Sequence, residues 1–302
     1  MTRSSDTLTY VYAAAYLTEA LRDALTDLRG IYGMTVHPLT AEPPTGAPEP
    51  PMGATEPPMG ALDDPRPVLA FAASPVPADD FNEHDLKTHF EDLRWLEDVA
   101  RAHHDVVQAL ATRATVLPLR MATVYQDDDR ARQALSRQHH VFAARLAELD
   151  AHTEFGVKIY LAPVTDSPEE DRAAHGEAPA PTTPGKAYLQ RRKAQHHAVE
   201  ARYGQARQAA AALEAIASHY ATHRVSHPVQ NGALTGPAEN VLNDAYLVPN
   251  AHAQRFTTEI EEAANAYDGI RLEVTGPWAP YSFAMPPSDE GPRTGPDQAQ
   301  RR

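Results

Sequence analysis

Residues 154–161, EFGVKIYL, place Phe155, Val157, Ile159 and Leu161 at every second position. Side chains alternate between faces along a strand, so this spacing predicts a strand with one buried side. The next periodic stretch, residues 184–220, carries Val199, Tyr203, Ala206, Ala210, Leu213, Ala217 and Tyr220 three or four apart, the spacing of one helix face. HRVSHPVQ (223–230) and ENVLNDAYLV (239–248) read as two strands around the turn-rich NGALTGP. NAHAQRFTTEIEEAANAY is a helix that Asn250 is expected to cap, and GIRLEVTG is a last strand with Ile270, Leu272 and Val274 on one side. The order β-α-β-β-α-β is that of a ferredoxin-like domain, and that fold alone assigns no function.

The first half of the chain mixes the same elements in a different order. LTYVYAAAY (8–16) reads as a strand, LTEALRDALTDLRG (17–30) as a helix closed by Gly30, and RPVLAFAAS (66–74) as a second strand. A long helix is expected from Asp79 to Arg113, with the stripe Leu86, Phe90, Leu93, Leu96, Ala100, His103, Val107 and Leu110. ATVLPLRMATVY (114–125) is extended. A further helix follows QDDD, whose acids suit a helix N-terminus, and runs through Leu135, Phe142, Leu146 and Leu149. The expectation is an α+β protein of two domains: an N-terminal α+β domain over 1–150 and a C-terminal ferredoxin-like (βαββαβ) domain over 151–285. Three seven-residue copies, EPPTGAP, EPPMGAT and EPPMGAL, insert a solvated polyproline-like linker at 42–62. An acidic, proline-rich disordered loop is expected at 163–184 and a disordered tail at 286–302.

Composition narrows the chemistry. The 302 residues are 42% hydrophobic and only 7% aromatic, so the cores must be built mainly from Leu, Val, Ile and Ala. A net charge of −14 argues against nucleic acid as a partner and favours a monomer that repels its own copies. With no cysteine, disulfides, thiolate metal sites and a cysteine nucleophile are excluded. No apolar run approaches the roughly 18 residues of a membrane span. The opening MTRSSDTLTYVYAAAY makes a poor signal peptide, so a soluble, cytoplasmic protein is expected.

No phosphate loop, nucleotide fingerprint or nucleophile elbow is present, and neither a cofactor nor a catalytic set is expected. His219, His223 and His227 recur every four residues and could bind a metal if the helix continued through them, which would support a metal- or small-molecule-binding enzyme. Pro228 and the strand pattern instead end the helix near His223, where the macrodipole favours histidine without a metal. Asp127, Asp128 and Asp129 could hold a hard cation, but the helix N-terminus accounts for them without one. His103 lies on an apolar stripe and is expected to be a hydrogen-bonded core residue. Arg120, inside an apolar run, should be paired or sit at a strand end in a structural role. Lys186, Arg191, Arg192, Lys193, Arg202 and Arg207 form a basic stripe opposed by Glu200 alone. It is either a solvated helix face or a docking surface for an acidic partner, as in a regulatory module that reads a peptide.

Four stretches resemble blocks of the GvpL/GvpF family of gas vesicle proteins, in the family's order: LRWLEDVARAHHDVVQAL, TVLPLRMATVYQDDD, PGKAYLQRRKAQ and EVTGPWAPYSF. The resemblance covers residues 66–162 and 184–283. It departs where Met121 and Ala122 stand in place of the family's aromatic residue and glycine. The resemblance implies a non-enzymatic accessory role in gas vesicle formation, with the hydrophobic shell protein and other gas vesicle proteins as partners. It makes TGPWAPYSF the last strand and the segment leaving it. Trp278, Tyr281 and Phe283 then serve either core and interdomain packing or a partner-binding patch.

Overall fold

The computed structural model describes residues 7–41, 68–82, 86, 89, 91–161, 184–229 and 239–284, apart from the side chains at 184–187, 191, 194, 195 and 198. The tandem repeat, the acidic loop up to residue 183 and the tail therefore lie outside the described residues. The chain forms two compact units: Met1–Asp150 joined by Ala279–Arg302, and Ala151–Trp278. Each mixes helices with an antiparallel sheet.

In the first unit the central strand is β1 (Thr7–Tyr16), whose residues from Tyr10 to Ala15 are buried on both faces. It pairs along its whole length with β3 (Leu69–Pro77), from Thr7↔Pro77 to Tyr16↔Leu69, with a bulge between Val11 and Ala13. β2 (His37–Thr40) extends the sheet beyond β3. The other edge of β1 carries two short strands, β4 (Val116–Pro118) and β5 (Val124–Tyr125). The single extended run expected at 114–125 is thus broken. Between the strands Leu119 N donates to the Tyr12 carbonyl, Val11 N donates to the Thr123 carbonyl, and a turn forms at Met121–Ala122.

The helices of this unit start where side chains can take up their orphan N–H groups. Thr18 Oγ1 accepts from Leu21 N at the head of α1 (Glu19–Asp27). Gly30 does not close that helix; Leu28 ends it in an extended conformation. The helix expected from Asp79 to Arg113 is interrupted. A single turn, α2 (Ala78–Phe81), ends at Asn82, and α3 (Leu93–Ala111) starts afresh because Asp92 Oδ1 accepts from Arg94 N and Trp95 N. The new start turns Leu93 outward, 77% exposed, and Val99, His103, Val106, Val107 and Leu110 form the buried stripe. Asp127 caps α4 (Asp128–Arg137), and Gln138 separates it from α5 (His139–Leu149), so the third expected helix is two. α1 and α3 contribute to the core on the Tyr10–Tyr12 side, while Phe71 on the opposite side meets Phe142 of α5 edge to face.

The second unit runs β6 (His152–Leu161), α6 (Pro184–Tyr220), β7 (His223–Ser226), β8 (Glu239–Pro249), α7 (Ala253–Ala264) and β9 (Ile270–Trp278). Its sheet has the order β7-β8-β6-β9, all pairs antiparallel. Phe155, Val157 and Ile159 are buried, as their alternation requires, with Tyr246 and Val248 beside them and Leu213, Ala217, Phe256 and Ile260 packed from the two helices. Asn250 does not cap α7; it opens a 3-10 turn, and its N–H donates to the Ala151 carbonyl.

One ion pair ties α6 to the sheet. Asp244, buried on β8, accepts from Arg224 Nε at 2.9 Å and Nη2 at 2.8 Å, and from the Tyr246 hydroxyl at 3.2 Å. Arg224 also pairs with Glu214 of α6. Burial and the neighbouring carboxylate hold the Tyr246 hydroxyl well above its usual pKa, so it stays a donor. Removing Arg224 would strand a buried carboxylate. Arg224→Met is expected to cost about 2 kcal/mol, less than for a wholly buried pair because its side chain is 32% exposed. The second change in Arg224→Met/Asp244→Leu should restore most of the loss in urea unfolding.

Candidate functional site

The polar groups of the first unit converge on two tyrosines of β1. The Tyr12 hydroxyl accepts from Ile31 N at 2.9 Å and shares a 2.7 Å hydrogen bond with Ser74 Oγ. Gly30 is needed here for space: a Cβ at that position would lie 2.1 Å from the Tyr12 oxygen. The Tyr10 hydroxyl accepts from Ala122 N at 3.0 Å and reaches His103 Nδ1 at 2.9 Å. The hydroxyl and Nδ1 share this second hydrogen bond, and the tautomer of the neutral imidazole sets which of them donates. Burial pushes the His103 pKa down to about 4, the Leu119 backbone partly opposing it, and burial likewise raises both tyrosines. His103 is buried on α3 and hydrogen-bonded through Nδ1. The cluster holds neutral groups in place; it does not poise a proton for transfer near neutral pH.

Aromatic rings lead outward from this cluster. Phe81 meets Tyr10 edge to face, Trp95 packs on Phe81 at 5.4 Å, and His89 stacks on Trp95 at 4.7 Å. Trp95 Nε1 donates to the hydroxyl of Tyr32, whose backbone is left-handed at φ 55. Nothing in the sequence pointed to this ladder, because its members come from three separate segments.

The end of β9 is fixed by its backbone. Gly276 has φ 123, and a Cβ there would lie 2.7 Å from the Glu154 carbonyl oxygen, so the TG of TGPW answers a geometric demand. Trp278 is 38% exposed, and its carbonyl accepts from Thr153. Residues 279–284 belong to the first unit, whereas the sequence extended the C-terminal domain to 285. Ala279 N donates to Gln108 Oε1, the half-buried Tyr281 stacks on His104, and the Phe283 carbonyl accepts from Arg145. Phe283 is buried and unavailable to a partner, a correction to its place among the candidate binding residues.

The remaining candidates are scattered. Arg120 stands exposed just past β4, and its carbonyl, rather than its guanidinium, does the structural work by accepting from Thr123 N and Oγ1. Asp127 caps α4, Asp128 accepts from Thr9 and contacts His37, and Asp129 pairs with Arg132, so the acidic triplet is spent on separate partners. α6 ends at Tyr220, His223 opens β7 and His227 follows it, so the three histidines do not share a helix face. Among the described residues no group of three His, Asp or Glu is placed to hold a metal. Arg192 and Lys193 are exposed on α6; the side chains of Lys186 and Arg191 lie outside the described residues.

Three measurements check this geometry. Gly30→Ala should destabilise the protein by about 2 kcal/mol through the clash with Tyr12. Ala122 sits at φ 62, where an L-residue is strained, so Ala122→Gly should raise stability by about 1 kcal/mol despite its greater backbone entropy. For His103, the unfolded chain binds a proton below pH 6.5 while the folded chain resists until about 4. Stability from this group is therefore complete above pH 6.5 and falls by about 1.4 kcal/mol per pH unit towards pH 4. The stability gap between the wild type and His103→Gln should narrow over that interval; a constant gap would contradict it.

Comparison with known proteins places the chain. The family model described as gas vesicle synthesis protein GvpL/GvpF matches residues 9–285. Gas vesicle protein L of Streptomyces sp. (strain CB03234) is 42% identical over 221 residues, covering 72% of this chain and 80% of that protein. Gas vesicle protein F of the same strain is 27% identical over 200 residues, covering 64% and 80%. The crystal structure of GvpF from Anabaena sp. PCC7120 shares the fold at a TM-score of 0.57 and 15% identity, over 92% of this chain and 96% of that one. No helix among the described residues is long and apolar enough to cross a membrane. With a match from residue 9 to residue 285, the chain belongs to the GvpL/GvpF family of gas vesicle proteins.

Proposed function

We propose that this protein is a non-enzymatic accessory component of gas vesicle formation that binds the hydrophobic shell protein and other gas vesicle proteins during assembly. The observation that carries this reading is the family match over residues 9–285. The chemistry of the fold is in keeping with it, because Tyr10, Tyr12 and Asp244, all buried, and Nδ1 of His103 are engaged with other protein groups. A shell subunit with large apolar faces aggregates unless a soluble binder meets it first. A carrier with a net charge of −14 would keep such a complex apart from its copies. The exposed apolar side chains Tyr32, Met34, Leu93 and Trp278 are the contacts we assign to apolar cargo.

In this reading the second unit is a ferredoxin-like domain beginning near residue 151, and the protein works as a monomer in the cytoplasm and at the growing vesicle. The test is co-expression of the tagged full chain with the shell protein. Shell protein should remain soluble and stay on the tag in high salt, and Leu93→Asp/Trp278→Asp should lower the yield several-fold. If the shell protein pellets equally with and without the full chain, direct binding is ruled out.

A further inference from the structure

The long helix α6 outruns its own domain. It has 37 residues, about 55 Å at 1.5 Å per residue. Among the described residues its buried side chains, Ala206, Ala209, Leu213 and Ala217, all lie in the second half. Every described side chain from Tyr188 to Val199 is exposed. Yet the stripe does not stop at Ala206. Continued back at helical spacing it passes through Val199 and Tyr188, which are 46% and 60% exposed. Beside that stripe, Leu189, Arg192, Lys193, His196 and Arg207 share a face at 3.6 residues per turn. Glu200, the one acid on that face, lies 3.5 Å from His196 and from His197. Among the described residues neither Arg192 nor Lys193 has a carboxylate within 4.0 Å.

We propose that the first half of α6 is a docking strip for an acidic amphipathic helix of a partner protein, laid lengthwise along Tyr188, Val199 and the basic face. Charge complementarity selects the occupant. Residues 184–207 hold six basic side chains against one acid, on a chain whose net charge is −14. That total repels a polyphosphate backbone at long range, and a polyphosphate would leave Tyr188, Leu189 and Val199 unburied. An amphipathic helix satisfies both halves of the strip, with acids on the cations and apolar residues in the seam. This surface is independent of the contacts assigned to the shell protein, so its failure would leave that assignment standing.

The test uses the full chain and a fluorescent 21-residue peptide with Leu at heptad a and d positions and Glu elsewhere, read by anisotropy. A counterpart with Gln for Glu is the control. Saturable binding of the Glu peptide and not the Gln peptide is expected, weakening as salt is raised. Arg192→Glu/Lys193→Glu should weaken it about tenfold, as two exposed ion pairs turned repulsive imply. Val199→Asp should weaken it independently, and Arg130→Glu/Arg137→Glu on α4 should leave it unchanged. These positions are exposed, so unchanged melting curves will show that the variants fold. Equal binding of both peptides, equal weakening by the α4 variant, or tighter binding of a 20-base-pair DNA duplex would overturn the proposal. Self-association that the Arg192/Lys193 variant abolishes would also overturn it, because a second copy would then be the occupant.

Discussion

Two hydroxyl groups set the terms for the first unit. Tyr10 and Tyr12 lie on the same face of β1, in the stretch of that strand buried on both faces, and a buried hydroxyl left without a partner costs about 1–3 kcal/mol. Their partners are Ile31, Ser74, His103 and Ala122, from four different segments. Satisfying both hydroxyls therefore brings together the 3-10 turn after α1, strand β3, helix α3 and the turn between β4 and β5. The bulge beside Tyr12, the bare Cα of Gly30 and the strained backbone of Ala122 are local consequences of that one demand.

The second unit solves a simpler problem. One face of its sheet is covered by two helices, and Asp244, the more deeply buried of the two buried carboxylates among its described residues, is matched by Arg224, which in turn reaches α6 through Glu214. Hydrophobic contact supplies the stabilisation. The ion pair fixes which turn of the helix lies over which strand, because a shift of one turn would separate Glu214 from Arg224 by about 5 Å. Beyond the sheet the same helix carries its apolar stripe into solvent.

What could be read from the sequence follows from range. The alternation in 154–161 and the continuous burial of YVYAAA are local patterns, and the strands formed where they stood. Helix beginnings were harder. A stripe running through Leu93 looks unbroken until Asp92 is seen capping a new start, a choice of side-chain geometry that periodicity does not encode. Gly30 was misjudged for a related reason: it serves a tyrosine 18 positions away, not the helix beside it. The hydrogen bonds to Tyr10 span 93 and 112 residues, beyond any local signal. Yet three of the stretches that carry the family resemblance line this region. They supply His103 and His104, then Ala122, then Tyr281, which stacks on His104. The resemblance was legible because it marks the walls of the cluster, even though the cluster itself was not.

A protein whose buried tyrosines and buried Asp244 hydrogen-bond within its own fold, and which carries exposed apolar and basic side chains, is suited to binding. The central claim, an assembly role, is tested most directly by deleting the gene in its own host and counting gas vesicles by electron microscopy. The shell protein is measured in the same cells. The expected result is loss of vesicles with shell protein still made but insoluble, and recovery when the intact chain is restored. Vesicles formed in normal number and shape without the protein would contradict it.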